Sequence, residues 1–283
     1  MSGMLQLHTL IKEQRHSPIK SQPLIGKSIS ITDAIRMHIK RDMNAVDELW
    51  LKLQIAAILD GRDAEIGPFG GVDGCWKDEP CFILGGSRGL GNALSEGLKF
   101  EMLNDFHTIA INHVIEDYPL ADWLIFLDKR LLDISSMHIM DEYKGRMFAH
   151  IKTRLTPSER VTIFYTQNDG PAEHIVQGLY SFVTTGITAI NLALITGANP
   201  IYLLGLDNGG LVSNANGTHY KAGYTGEKKG HGDFKKFKAR VPEMLLKYAR
   251  YANRFVNVDP LGDITVFKKM GVREIPELKG AIK

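Results

Sequence analysis

Cys81-Phe-Ile-Leu-Gly-Gly-Ser-Arg-Gly-Leu-Gly91 is the stretch on which the fold turns. Four apolar residues, Cys81–Leu84, run straight into a glycine-rich turn, and helical periodicity follows over Leu90–Leu103. Strand, tight glycine turn and helix N-terminus, in that order, are how a doubly wound sheet holds phosphate. Backbone N–H groups are uncommitted there, the helix dipole is positive, and missing Cβ atoms allow close approach. Gly85, Gly86, Ser87, Arg88 and Gly89 are therefore candidate contacts for a phosphate. A tight turn with no ligand is the plainer alternative.

Working outward from this loop, short apolar runs alternate with helical patterns. Thr108–Asn112, Trp123–Asp128, Val161–Tyr165, Ile201–Leu206 and Phe255–Val258 are expected strands. Ile187–Thr196, closed by Gly197, and Pro242–Asn253 are expected helices. The pattern predicts an α/β fold, a doubly wound Rossmann-like parallel sheet with helices on both faces. Upstream, Met1–Ile31 is polar and broken by Pro18 and Pro23. Thr32 then caps an expected helix from Asp33 to about Met43. Asn44 caps a second, with Val46, Leu49, Leu53 and Ala56–Ala57 on one face. Gly67–Gly74 is a loop on composition alone. The expected organisation is a helical appendage and linker over residues 1–80 and a nucleotide-binding domain over 81–283.

Composition narrows the class. The chain has 283 residues, 44% hydrophobic and 23% charged, enough for one large domain with an appendage. Disorder, collagen-like repeats and coiled coil are excluded. Lys and Arg number 34 against 32 for Asp and Glu, so bulk charge does not point to nucleic acid. Lys228, Lys229, Lys235, Lys236 and Lys238 form a local basic stretch, either a solvated face or an attraction for an anionic ligand. Cys75 and Cys81 fit neither a disulfide framework nor a zinc pattern, and no metal site is expected. Reduced thiols imply a cytoplasmic location. No run approaches the ~18 apolar residues of a membrane span.

Several polar residues fall at expected strand ends, where ligands of open α/β sheets sit. Asn112 ends a strand; its amide suits a nucleotide contact or a turn cap. Asp128 and Asp207 end two more and should face the same rim. Each carboxylate could hold a ribose hydroxyl, Mg²⁺ or an acceptor hydroxyl, or serve an ion pair or turn. Thr184, Thr185 and Gly186 precede a helix and make a second anion site, of which plain capping explains one threonine. Leu211–Gly232 is a long loop carrying His219, Tyr220, Tyr224 and His231. Loops of this length inside compact domains are lids or binding loops. Histidine accepts a proton from an attacking hydroxyl near neutral pH, although a solvated loop histidine is the alternative here.

Gly85-Gly-Ser-Arg-Gly-Leu-Gly91 resembles the cofactor loop of short-chain dehydrogenases, and Tyr224-Thr-Gly-Glu-Lys228 supplies their Tyr-x-x-x-Lys letters. Three glycines within 221–230 make that segment a poor helix, and the loop follows some 80 residues instead of opening the chain. A second resemblance is broader. Phe82-Ile-Leu-Gly-Gly-Ser87, Thr108-Ile-Ala-Ile-Asn112, Ala121–Asp128, Thr184–Asp207, His219, His231 and Phe255-Val-Asn-Val-Asp-Pro260 are arranged in a familiar order. Together they resemble the 6-hydroxymethylpterin diphosphokinase-like family. That family is similar in fold to the bacterial sialyltransferases of glycosyltransferase family 42 and to motility accessory factors. Phage-encoded proteins share the pattern. The family loop usually reads Gly-Gly-Gly-Pro-Ser-Leu, and this chain departs from it after the second glycine.

The resemblance implies a transferase using a nucleotide-activated small-molecule donor, foremost a glycosyltransferase acting by direct displacement. It makes His231 the base and Asp128 and Asp207 catalytic. Asn112, Thr184–Gly186, His219, Tyr220 and Tyr224 would then lie around the donor. The alternatives are diphosphate transfer from ATP with Mg²⁺, an NAD(P)-dependent dehydrogenase, and a non-catalytic nucleotide-binding or assembly protein. The acceptor is open, and the N-terminal helices are a possible homo-oligomer contact.

Overall fold

Cys81–Leu84 forms strand β1, with all four side chains buried, as a strand covered on both faces must be. It belongs to a computed structural model that describes residues 71–134, 138–153, 155, 158, 160–164, 166–167, 170–175, 178–181, 184–206, 242–260 and 264–282. After β1 come β2 (His107–Ile111), β3 (Trp123–Phe126), β4 (Arg146–His150) and β5 (Val161–Phe164). Then follow β6 (Thr166–Gln167), β7 (Leu179–Tyr180), β8 (Ile201–Leu204), β9 (Phe255–Asn257) and β10 (Lys268–Lys269). The four helices placed by name are α1 (Arg88–Ser95), α2 (Arg130–Ile134), α3 (Ile139–Glu142) and α4 (Thr185–Ile195).

Among the described residues, eight strands make one sheet in the order β10-β9-β8-β1-β2-β3-β4-β5. Every pairing in it is parallel. Cys81 registers with His107 on one side and with Ile201 on the other. The chain therefore starts in the middle, steps outward to β5, and returns to lay β8 against the free side of β1. Right-handed crossovers running in opposite directions put α1 and α4 on opposite faces. The point of reversal lies between β1 and β8, at the carboxyl ends of the strands. The fold is the doubly wound α/β sheet expected from the sequence. β6 and β7 pair separately in parallel.

α4 is buried from Ile187 through Ile195, which an apolar helix roofed on both sides requires. Its one internal amide makes three hydrogen bonds. Asn191 Oδ1 accepts from the Ala172 and Tyr180 backbone N–H groups at 3.1 and 2.6 Å, and Nδ2 donates to the Ala172 carbonyl at 2.9 Å. The connection from β5 is thereby tied to α4.

Three local expectations change. Helical periodicity over Leu90–Leu103 resolves into α1 and a 3-10 turn, Phe100–Leu103, because Gly97 at φ +107 ends the helix. Pro242–Asn253 is helical only over 242–246, and a 3-10 turn, Ala249–Arg254, follows. Residues 71–80, expected as linker, belong to the compact unit Gly71–Lys283. The N–H groups of Gly74, Trp76 and Asp78 donate to the carbonyls of Ile195, Thr196 and Gly197 at 2.9, 2.9 and 3.1 Å. Trp76 also lies parallel to the His107 ring at 4.6 Å and against Trp123 at 3.9 Å. Backbone hydrogen bonds and the buried side chains of Val72 and Trp76 fasten this segment to the sheet domain, whatever its glycine content. The expected helices at 33–43 and 44–57 lie outside the described residues. Among the described residues, no helix is long and apolar enough to cross a membrane.

Candidate functional site

The chain's reversal brings two glycine turns together. The Gly85 N–H donates to the Leu204 carbonyl at 2.7 Å, and the Ser87 N–H donates to the Gly205 carbonyl at 3.1 Å. A Cβ on Gly85 would collide with the Gly205 carbonyl oxygen and with Leu206 Cδ2. A Cβ on Gly205 would collide in turn with the Gly85 carbonyl oxygen, and its φ of +67 favours glycine. Gly85 thus has a structural reason to be glycine, the crossing of two backbones. Gly86 beside it is half-buried, as is Ser87, while Arg88 is exposed and Gly89 buried.

The start of α4 reaches the same place. A Cβ on Gly186 would sit 3.3 Å from Leu206 Cδ2, the atom that also abuts Gly85. The loop after β1 and the first turn of α4 are therefore separated by a single leucine side chain. Thr184 is the N-cap of α4: its Oγ1 accepts the Ile187 N–H at 3.3 Å, and its carbonyl accepts the Thr188 hydroxyl at 3.0 Å. Among the described residues no such bond engages Thr185, which is half-buried. At α1 the N-cap is Ser87, in extended conformation, and its side chain makes no capping hydrogen bond. Just before α4, Ser181 is 2% exposed, and its hydroxyl has no hydrogen-bond partner among the described residues.

Asn112 follows β2, one strand from Gly85, roughly 4.8 Å away in the sheet direction. Its φ is +51, the left-handed region that asparagine tolerates best among side chains with a Cβ. The turn Asn112–Glu116 thus selects asparagine independently of any ligand. In that turn His113, 8% exposed, holds Glu116 at 2.5 Å. Asp128 is exposed after β3, its backbone carbonyl accepting the Leu131 N–H at 3.2 Å. Asp207, His219, Tyr220, Tyr224 and His231 lie outside the described residues. Among the described residues, no three His, Cys, Asp or Glu side chains form a group that could hold a metal ion. Cys75 and Cys81 are free thiols.

Sequence reasoning missed Gly205, Leu206, Ser181 and His150. Gly205 was legible as a glycine following an apolar strand, the same signal as Gly85. His150 was not, because its strand β4 begins with Arg146 and ends on a histidine and so lacks an apolar run.

No protein-family model matches the chain, and none of the curated proteins does. Among solved structures it is similar to a MAf glycosyltransferase from Magnetospirillum magneticum AMB-1, with 14% identity and a TM-score of 0.47. The match covers 71% of this chain and 34% of that one, so the chain spans about a third of that protein's length.

Proposed function

We propose that this chain is a transferase that binds a nucleotide-activated donor at the reversal point of its sheet, and that it transfers a glycosyl group. The observation supporting this is the meeting of the 85–91 loop with the start of α4 across Leu206. Two helix N-termini converging at the carboxyl edge of a parallel sheet favour a diphosphate or monophosphate, because each supplies oriented N–H dipoles. The same dipoles stabilise the charge that grows on the departing phosphate. His231 removes the acceptor hydroxyl proton. The new bond joins that oxygen to the activated carbon, as the carbon–oxygen bond to phosphate breaks and its electron pair leaves with the nucleotide.

A thermal-shift panel of CMP, UDP, GDP, ATP and NADPH tests the donor class. A bound nucleotide at a hundredfold excess over its Kd stabilises the fold by about 2.7 kcal/mol. Gly86→Val should remove the shift. A shift with NADPH alone would overturn the proposal. On whichever nucleotide binds, His231→Ala should lower turnover roughly 10²–10⁴-fold with donor affinity little changed, and Tyr224→Phe should have a modest effect. The reverse order is the signature of a dehydrogenase. Turnover that survives EDTA favours glycosyl over diphosphate transfer.

A further inference from the structure

Asn112 leaves β2 in left-handed backbone on the same rim as the glycine loop. Leu84 registers with Ala110, so Gly86 and Asn112, two residues further on, leave neighbouring strands at the same level. Asparagine tolerates this conformation because its short amide can bond to nearby backbone. Here the half-buried Asn112 side chain makes no hydrogen bond among the described residues. Glycine would meet the backbone requirement with less strain. Backbone geometry therefore accounts for the turn but not for an uncommitted amide on it.

The turn that follows is fastened from within. His113 and Glu116 stand three apart on the 3-10 turn Asn112–Glu116, the spacing that places side chains one above the other. Those side chains are 9% and 14% exposed, and His113 Nδ1 meets Glu116 Oε1 at 2.5 Å. An ionised carboxylate only accepts, so Nδ1–H donates. Val114 and Ile115 between them are fully buried. The Val114 carbonyl accepts the Asp117 and Tyr118 N–H groups at 3.1 and 3.0 Å, and the Tyr118 hydroxyl donates to Asn104 Oδ1 at 3.1 Å. For Asn112 to leave the left-handed region the whole turn must swing, and the pair and these buried residues resist it.

We propose that His113 and Glu116 are positioning residues: their pair keeps the turn closed and thereby presents the Asn112 amide to the nucleoside part of the donor. The inference rests on the nucleotide reading of the glycine loop. A phosphate needs donors only, which the loop's backbone N–H groups supply. An amide both gives and accepts, and so matches the ribose hydroxyls or base edge that a nucleotide carries beyond its phosphate. The roughly 4.8 Å between neighbouring strands is the scale of the step from a phosphate to the sugar bonded to it. His113 and Glu116 act through Asn112.

Backbone NMR of the full chain and nucleotide titration test this together. Glu116→Ala should move the Asn112 backbone ¹³C shifts away from left-handed values. Glu116→Gln still accepts from His113 Nδ1–H and should leave them in place. The titration uses whichever of CMP, UDP, GDP and ATP stabilises the parent most. Asn112→Gly should weaken its Kd roughly three- to thirtyfold, the loss of one or two hydrogen bonds, with little change in Tm. Glu116→Ala should weaken Kd comparably in the parent and add nothing in the Asn112→Gly background, while Glu116→Gln binds like the parent. A merely structural pair would lower Tm and leave the Kd of the folded variant unchanged. Should Glu116→Ala not fold, the double variant His113→Leu/Glu116→Leu replaces both partners and takes its place. The inference is overturned if Asn112 keeps its left-handed shifts without the pair, or if loss of the pair weakens binding equally with and without Asn112. Full-strength binding to Asn112→Gly sinks this inference and leaves the phosphate loop standing; no binding of any of the four nucleotides to the parent sinks both.

Discussion

The two halves of the sheet's carboxyl rim are built from different materials. Around β1 and β8 the surface is backbone: Gly85, Gly205 and Gly186 meet around Leu206, and the start of α4 is capped by Thr184. Around β4 and β6 it is side chain: Nε2 of His150 lies 3.4 Å from Oγ1 of Thr166. Backbone N–H groups at helix ends attract phosphate whatever is attached to it, because they offer only donors. Under the function proposed above, the first surface is the one suited to hold charge, while the second offers both donors and acceptors.

The comparison breaks most completely at the crossing of the two glycine turns. Gly205→Val puts a branched side chain into left-handed backbone and against the Gly85 carbonyl and Leu90. A destabilisation above about 3 kcal/mol is expected, seen as a lower urea midpoint or as no folded protein. A variant as stable as the parent would mean that the two turns do not cross as described.

Acid should act on the other half. The His150 pKa lies at about 4 in the fold, against an ordinary value of 6.5, because burial and then Lys152 disfavour the charged ring. The unfolded chain therefore binds more protons between those values, and stability rises with pH across that window. Stability present above pH 6.5 is lost as pH falls toward 4, by on the order of 3 kcal/mol. Urea titrations at pH 7 and pH 4.5 check this, and His150→Gln should flatten the difference. An unchanged difference in that variant would place the acid sensitivity elsewhere.

Finer changes separate the two helix starts within the backbone half. Thr184→Ala removes the α4 cap and should cost about 1 kcal/mol in Tm-derived stability. Ser87→Ala removes no side-chain cap from α1, so it should cost less stability than Thr184→Ala. Its nucleotide affinity should nonetheless fall if the 85–91 loop holds the phosphate. Equal stability losses at the two positions would erase the distinction between them.

Much of the framework was legible in the sequence. Cys81–Leu84, Trp123–Phe126 and Ile201–Leu204 are continuous apolar runs bounded by turn residues, the mark of strands buried on both faces. Thr184 before an apolar helix and Gly197 after it marked both ends of α4. β4 escaped notice because burial of His150 depends on neighbours far along the chain. Residues 71–80 escaped for the same reason, since Trp76 finds its partners at His107 and Trp123. Of the candidate site, the 85–91 loop, Asn112 and Thr184–Gly186 were visible as local patterns, while Gly205 and Leu206 were not marked.

What the sequence determined by itself is therefore the set of elements and their kind. Strand and helix follow from the spacing of apolar residues and from glycine, proline and capping residues a few positions apart, and these interactions are local. Only the tertiary structure decided that β8 lies beside β1, that Gly85 and Gly205 touch across 120 residues of chain, and that Leu206 joins the first loop to α4. It also decided that His150, a histidine ending a strand, is buried. Strand order and register are fixed by packing between segments distant in sequence, and a burial that depends on those distant segments leaves no periodic trace in the residues that undergo it.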